Sequence, residues 1–252
     1  MKEIEICVVA GRRPDLLKTT LESFQRRLLS HFSIIGAYVN IDPIFGDEID
    51  KDRTVEVVRS YFSEAYVNTP ATANFCTAVK HLWGATKSDL ILHLEDDWIV
   101  NIDITPDMIE NILKNPDVVQ ISFNNIHKKW DFGDGPFHQR RRRTKLFGLK
   151  IGPDRILPYF TTSPSFIRGS FARASAGLLD ARFDPEKQFY NETNPGLQKA
   201  VKNYRNYILG KDQPYLVTDI GRDWRDKRHI QKCFVDGASV WQHDEMQSEP
   251  KP

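Results

Sequence analysis

Short, β-branched apolar runs alternate with stretches of helical periodicity through the first half of the chain, and this alternation limits the fold more than any other feature. Residues 4–10 (IEICVVA) suit a strand buried on both faces and stop at Gly11. Pro14 fits the first turn of a following helix, along which Leu16, Leu17, Thr20, Leu21, Phe24 and Leu28 recur on one face. A second strand is expected over 34–41, ending at Asp42 and Pro43, and then a helix capped by Asp52 that carries Val55, Val58, Tyr61 and Phe62. Residues 66–68 read as a brief third strand and Thr69 or Pro70 as the start of a third helix. Residues 89–94 (DLILHL) read as a fourth strand running into Glu95, Asp96 and Asp97. Strands that alternate with helices imply an α/β domain with a mostly parallel sheet and right-handed crossovers.

The second half is patterned differently. After a helix near 106–114 and a strand at 118–123, residues 124–165 hold Gly, Pro, Arg and aromatics with little periodicity. So long a structureless stretch in a compact domain reads as a functional loop or a lid. Helices are expected at 170–179, capped by Ser170, and at 195–208, before a strand at 215–218. Without an internal repeat or a Gly/Ser linker, residues 1–252 are read as one domain with an irregular C-terminal portion.

Composition removes several classes. Hydrophobic residues make up 40% and charged residues 27%, with 15 Phe, 8 Tyr and 5 Trp, which excludes disordered, collagenous and fibrous chains. Lys and Arg number 35 against 34 Asp and Glu, so there is no overall field for nucleic acid or anionic membrane, and any polyanion site must be local. No apolar run approaches a membrane span, and the opening MKEIEICVVAGRRPD is not built as a signal peptide, so a cytoplasmic protein is expected. Cys7, Cys76 and Cys233 are odd in number and far apart, which suits reduced core residues rather than zinc or redox work.

In open parallel sheets ligands bind at the carboxyl ends of the strands. Here those ends are Gly11-Arg12-Arg13, Asp42, Asn68 and Glu95-Asp96-Asp97, which parallel strands would bring to one edge. Three consecutive carboxylates repel one another, and in a partly buried place they need a cation or several donors to stay ionised. A divalent ion is the simplest answer, and hard oxygen ligands select Mg2+ or Mn2+, ions that keep positions open for substrate phosphates. The plain alternative is a solvated turn; the apolar segments on both sides favour burial. Arg12 and Arg13 equally suit surface cations, and Asp42 a turn residue before Pro43.

These residues resemble a family. The first strand, the Arg13-Pro14-Asp15-Leu16-Leu17 helix start, Asp42 and Leu94-Glu95-Asp96-Asp97 resemble the nucleotide-sugar domain of GT-A-fold glycosyltransferases, family 2 in particular. The Glu-Asp-Asp form is similar to the metal motif of the N-acetylglucosaminyltransferase I group, as is Ile104-Thr105-Pro106-Asp107-Met108 after it. The stretch from Gly169 to Phe189-Tyr190-Asn191-Glu192 resembles the acceptor-side segment that carries that group's catalytic carboxylate.

The resemblance implies a GT-A, Rossmann-like domain in which 1–123 bind the nucleotide sugar and 124–252 the acceptor. It further implies Asp97 as a direct ligand of Mn2+ or Mg2+, with His243 as a further ligand. Asp96 and Glu95 would meet ribose hydroxyls or metal-bound water, Gly11, Arg13 and Asp42 the nucleoside, and Asn74 the donor. Glu192 would be the base of an inverting transfer, with Asp180, Asp184 and Asp223 as competitors. An ordinary cap ahead of the Pro195 helix is the plain reading of Glu192. Arg222, in Asp219-Ile220-Gly221-Arg222-Asp223-Trp224-Arg225, belongs to a mixture of cations and an aromatic suited to a diphosphate or sugar ring. The donor is expected to be a UDP-sugar and the acceptor a hydroxyl of a glycan, a small molecule or a modified DNA base. Arg140, Arg141, Arg142 and Arg143 read as a solvated run, as a lid on donor phosphates or as a contact to a polyanionic acceptor. Two other readings stand beside this one, a nucleic-acid- or nucleotide-binding module using that run and a sugar nucleotidyltransferase.

Overall fold

The computed structural model describes residues 1–126, 135–146, 149–190, 193–211, 214–235 and 238–243, with backbone alone at 142–146, 149–155, 234–235, 238–240 and 243. In order, the elements are β1 (Lys2–Ala10), α1 (Pro14–Arg27), β2 (Phe32–Ile41), α2 (Glu48–Tyr61), β3 (Tyr66–Asn68), α3 (Phe75–Ala85) and β4 (Leu90–Glu95). Then come β5 (Trp98–Val100), α4 (Pro106–Leu113), β6 (Val118–Phe123), β7 (Phe137–Leu146), β8 (Leu149–Pro158), β9 (Ser165–Arg168) and α5 (Gly169–Leu178). The chain continues through α6 (Pro195–Val201), β10 (Arg205–Leu209), β11 (Val217–Asp219), α7 (Gly221–Asp226), β12 (Ile230–Val235) and β13 (Ala238–His243).

Nine strands form one sheet in the order β3-β2-β1-β4-β9-β6-β10-β7-β8. The pairs β3/β2, β2/β1, β1/β4 and β6/β10 are parallel, while β9 and β7 run against their neighbours. The two faces are both covered, as a β1 that is apolar on both faces requires. Ile4, Ile6, Val8 and Ala10 pack with Leu17, Leu21, Phe24 and Val58 of α1 and α2. Cys7 and Val9 pack with Val79, Leu82, Trp83 and Phe171 of α3 and α5. Cys7, Cys76 and Cys233 are free thiols, the first two buried. No described helix is long and apolar enough to cross a membrane.

Several boundaries differ from expectation. Helix α2 is capped by Asp47, not Asp52: Asp47 accepts from the Asp50 N–H at 2.9 Å while Asp50 accepts from the Asp47 N–H at 3.3 Å, a reciprocal box that satisfies two orphan donors. Helix α3 starts at Phe75 rather than near Thr69, because Asn74 takes the Thr77 N–H at 2.8 Å. Helix α5 begins at Gly169 instead of Ser170, with Gly169 pressed so close to Ser88 that a Cβ there would fall 1.9 Å from its carbonyl oxygen. Residues 195–208 split into α6 and β10, since Tyr207 and Ile208 pair with β6.

The largest difference concerns 124–165. Much of this stretch is regular: β7 and β8 pair antiparallel, with Arg140 opposite Leu157 and Arg142 opposite Arg155, so the arginine run belongs to β7, the strand next to the edge strand β8. Four consecutive cations hid the strand, since they erase the polar/apolar alternation by which strands are read.

Candidate functional site

The carboxyl ends of β1, β2 and β4 lie together, as parallel strands demand, and open on a cavity of about 540 Å³. Gly11, Arg13, Asp42, Asn74, Glu95, Asp96, Asp97 and Arg222 all line it, so the expected nucleotide-sugar residues and Asp97 are gathered at one place. Asn68 stands behind the wall, donating to Asn40 Oδ1 at 2.6 Å, and Asn40 donates in turn to Asp42 Oδ1 at 2.8 Å. Burial raises the Asp42 carboxyl above its ordinary range, opposed by Asn40 and by the Asn74 backbone N–H.

Each member of the triplet has its own environment. Asp96 is buried; its Oδ2 accepts the Gly11 N–H at 2.9 Å and Arg13 Nε at 3.1 Å, and its Oδ1 accepts Arg13 Nη2. Thr20 Oγ1 donates to the Asp96 carbonyl at 2.9 Å and accepts the Trp98 N–H at 3.2 Å, so α1 fixes the turn after β4. Burial works against the Arg13 charge, but Asp96 and Asp97 outweigh it and hold the guanidinium above its ordinary value. Asp97 Oδ2 accepts Arg13 Nη2 at 3.2 Å and Arg225 Nη1 at 2.9 Å. Burial, and then the Asp97 charge, push Glu95 up to about 8 against the opposing Trp98 Nε1–H donor at 3.1 Å, so Glu95 holds its proton near neutrality.

The second half of the chain supplies the facing wall. Asp219, at the end of β11, accepts the Gly221 and Arg222 N–H groups at 2.9 and 3.2 Å and Arg222 Nε at 3.1 Å. Arg225 Nη2 lies 3.8 Å from the same carboxylate, and its guanidinium sits 4.9 Å from the Trp241 ring. Arg225, from the 219–225 segment singled out in the sequence, lines the cavity beside Arg222, whereas Phe45 and Trp241 line it but were missed from sequence. Phe45 has φ 70, a strained conformation for a bulky residue, and its ring lies 4.6 Å below the Arg13 guanidinium and 5.5 Å from Trp224 and from Trp241. Residues from both halves of the chain therefore line one cavity.

Other candidates fall elsewhere. Arg12 pairs with Glu48 at 2.6 Å and does not line the cavity. Glu192 lies outside the described residues, as does the side chain of His243, which ends β13 opposite Ile230. Among the competitors for the base, Asp180 is engaged by Arg182 at 2.6 Å and, like Asp223, stands off the lining, whereas Asp184 lines the cavity together with Glu186 and Tyr190. Arg140 and Arg141 do not line it, and the side chains of Arg142 and Arg143 are outside the described set.

No protein-family model and no curated protein sequence matches the chain. Solved structures do: S. aureus TarS 1-349 in complex with UDP aligns over 91% of this chain and 64% of its own, with a TM-score of 0.51 and 15% identity. S. aureus TarS aligns over 91% and 38%, at 0.52 and 14%. GalNAc-T7 with UDP, GalNAc and Mn2+ aligns over 86% and 43%, at 0.54 and 13%. The fold is GT-A. This GT-A chain spans less than two thirds of the length of each of these structures.

The GT-A cavity does not fit the expected divalent ion well. Among the described residues no group of three or more His, Cys, Asp or Glu converges as a metal site. Both Asp96 oxygens and Asp97 Oδ2 already accept arginine N–H donors. Side-chain cations, the second of the two answers that buried carboxylates admit, neutralise this cluster.

Proposed function

We propose that the chain is an inverting glycosyltransferase that moves a sugar from a nucleoside-diphosphate donor, a UDP-sugar, to an acceptor hydroxyl. One observation carries this reading: on a GT-A fold, the strand-end carboxylates and the arginines Arg13, Arg222 and Arg225 converge on one cavity of about 540 Å³. Carboxylates accept hydrogen bonds from ribose and sugar hydroxyls, guanidinium groups clamp phosphate oxygens, and the Phe45 and Trp241 rings offer flat faces to a base or sugar. Asp42 and Asn74 are assigned to the nucleoside side, Arg222 and Arg225 to the diphosphate.

In the transfer, the acceptor oxygen attacks the anomeric carbon while the bond to the diphosphate oxygen breaks in line. The diphosphate leaves with the electron pair and the acceptor proton passes to a carboxylate. The guanidinium groups of Arg222 and Arg225, aimed at the departing oxygens, stabilise the growing charge. Glu192, two residues past the cavity-lining Tyr190, is the proposed base by resemblance; Asp184, on the cavity wall, is its rival. The acceptor is a glycan, a small molecule or a modified DNA base, and the likeness of the triplet to the N-acetylglucosaminyltransferase I group belongs to this reading too.

Thermal-shift measurement with a panel of nucleoside diphosphates and sugar nucleotides tests it, since a ligand that binds only the folded state raises Tm. A shift with a UDP-sugar is expected, and its absence for every donor sinks the reading. Glu192→Gln should keep the shift and lose roughly 10²–10⁴-fold in transfer rate; if it transfers normally while Asp184→Asn does not, the base is Asp184.

A further inference from the structure

The glycosyltransferase reading requires positive charge opposite the donor diphosphate, and the way α7 meets Asp97 shows where that charge comes from. We infer that the Arg225 guanidinium occupies the place at Asp97 that a divalent ion would otherwise take, so that nucleoside-diphosphate binding by this chain is independent of divalent metal.

Two guanidinium groups and a close backbone surround one oxygen. Arg225 Nη1 reaches Asp97 Oδ2 at 2.9 Å and Arg13 Nη2 reaches it at 3.2 Å. The backbone of Gly221 closes the remaining side: a Cβ built there would lie 2.0 Å from Oδ2 and 2.7 Å from Arg225 Nη1. Helix α7 is fastened in this position, because the Ile220 N–H donates to the Asp97 carbonyl at 2.9 Å. Only glycine at 221 lets the helix approach so closely.

The guanidinium also has partners other than Asp97. Asp219 steadies it at 3.8 Å and Trp241 lies 4.9 Å beneath it, while Arg225 still lines the cavity. It is therefore an oriented cation with one edge on protein carboxylates and access to the space where a diphosphate would sit, the geometry in which arginine binds phosphate oxygens in pairs. A Mg2+ or Mn2+ ion needs several oxygen ligands at about 2.0–2.2 Å. To obtain Asp97 Oδ2 it would have to expel Arg225 and sit beside Arg13, two cations in a poorly solvated place.

The inference rests on the glycosyltransferase reading, and calorimetric titration with UDP separates the two. Wild-type protein should bind UDP with the same affinity, within about twofold, in EDTA and in Mn2+, and Mn2+ alone should give no saturable signal by electron paramagnetic resonance. Arg225→Ala should lose at least about tenfold in UDP affinity in EDTA. That variant should also acquire saturable Mn2+ binding, because Asp97 is released, and regain UDP affinity when Mn2+ is present. Arg225→Lys, which keeps the charge without the paired donors, should fall between the two. Binding of UDP by wild type only with Mn2+ overturns the metal independence and leaves the glycosyltransferase reading standing. No binding of UDP, GDP, CDP or ADP in either condition overturns both. The wild-type arms decide even where Arg225→Ala fails to fold, and unchanged UDP affinity in a folded Arg225→Ala also refutes the role of Arg225.

Discussion

Arg13 and Arg225 reach the same oxygen of Asp97 from opposite halves of the chain, on very different supports. Arg13 follows β1 in the interior of the nine-stranded sheet and stands at the N-cap of the 14-residue helix α1. Its side chain is 5% exposed and bonds both oxygens of Asp96. Arg225 sits near the end of the 6-residue helix α7, beside the two-stranded β12/β13 hairpin. The acidic wall of the cavity is thus part of the core, whereas the cationic wall hangs on a few local hydrogen bonds and ring contacts. Substitutions on the first should act through folding; on the second, through ligand binding.

The strongest way to break this contrast is Arg13→Ala. It leaves the buried Asp96 carboxylate without its partner, and breaking a buried pair in this way costs about 3–5 kcal/mol. Urea denaturation should show that loss, and a variant within about 1 kcal/mol of wild type would mean that the acidic wall is no more embedded than the cationic one.

A second effect sharpens the contrast from within β4. His93 is fully buried, accepts the Trp83 Nε1–H at 3.1 Å, and burial lowers it from 6.5 to about 4, with the Thr162 carbonyl opposing. The unfolded chain takes up this proton first as pH falls, so stability is lost between pH 6.5 and about 4 and is flat in this group below that. By pH 5 the loss is about 2 kcal/mol. His93→Gln should flatten the acid limb of stability measured by denaturation at stepped pH, and an unchanged limb would assign the acid sensitivity to other groups.

The same contrast governs how far the sequence could be read. β1, β4 and β6 were visible because strands buried on both faces are largely apolar, β2 and β3 by their β-branched and aromatic residues, and together they placed Gly11, Asp42 and the triplet at one edge. The triplet's need for compensation was equally visible, but its source was not. Arg225 lies 128 residues from Asp97 in the chain, and nothing local distinguishes it from Arg222 or Arg228. β7 was hidden by its arginines, β8 by the Gly152-Pro153-Asp154 within it, and β10 by a helical pattern that its pairing with β6 overrides. Phe45 carried a faint signal, an aromatic between Pro43 and Gly46 directly after a strand end, where a bulky residue has no ordinary reason to be.

The smallest expected change in stability belongs to Arg222, and it tests the cationic wall most directly. Its side chain is 56% exposed and its contact with Asp219 is 3.1 Å, so the pair is screened by water and Arg222→Ala should stay within about 1 kcal/mol of wild type. Because Arg222 lines the cavity beside Arg225, the same variant should weaken nucleoside-diphosphate binding by roughly three- to tenfold, the loss of one exposed charged hydrogen bond. Added salt should narrow that gap, since an exposed cation acts on phosphate through a screened field, whereas a contribution from Arg225, 14% exposed, should resist salt. Equal salt dependence for the two arginines would place them in one environment and dissolve the division of the cationic wall into a buried anchor and an exposed clamp.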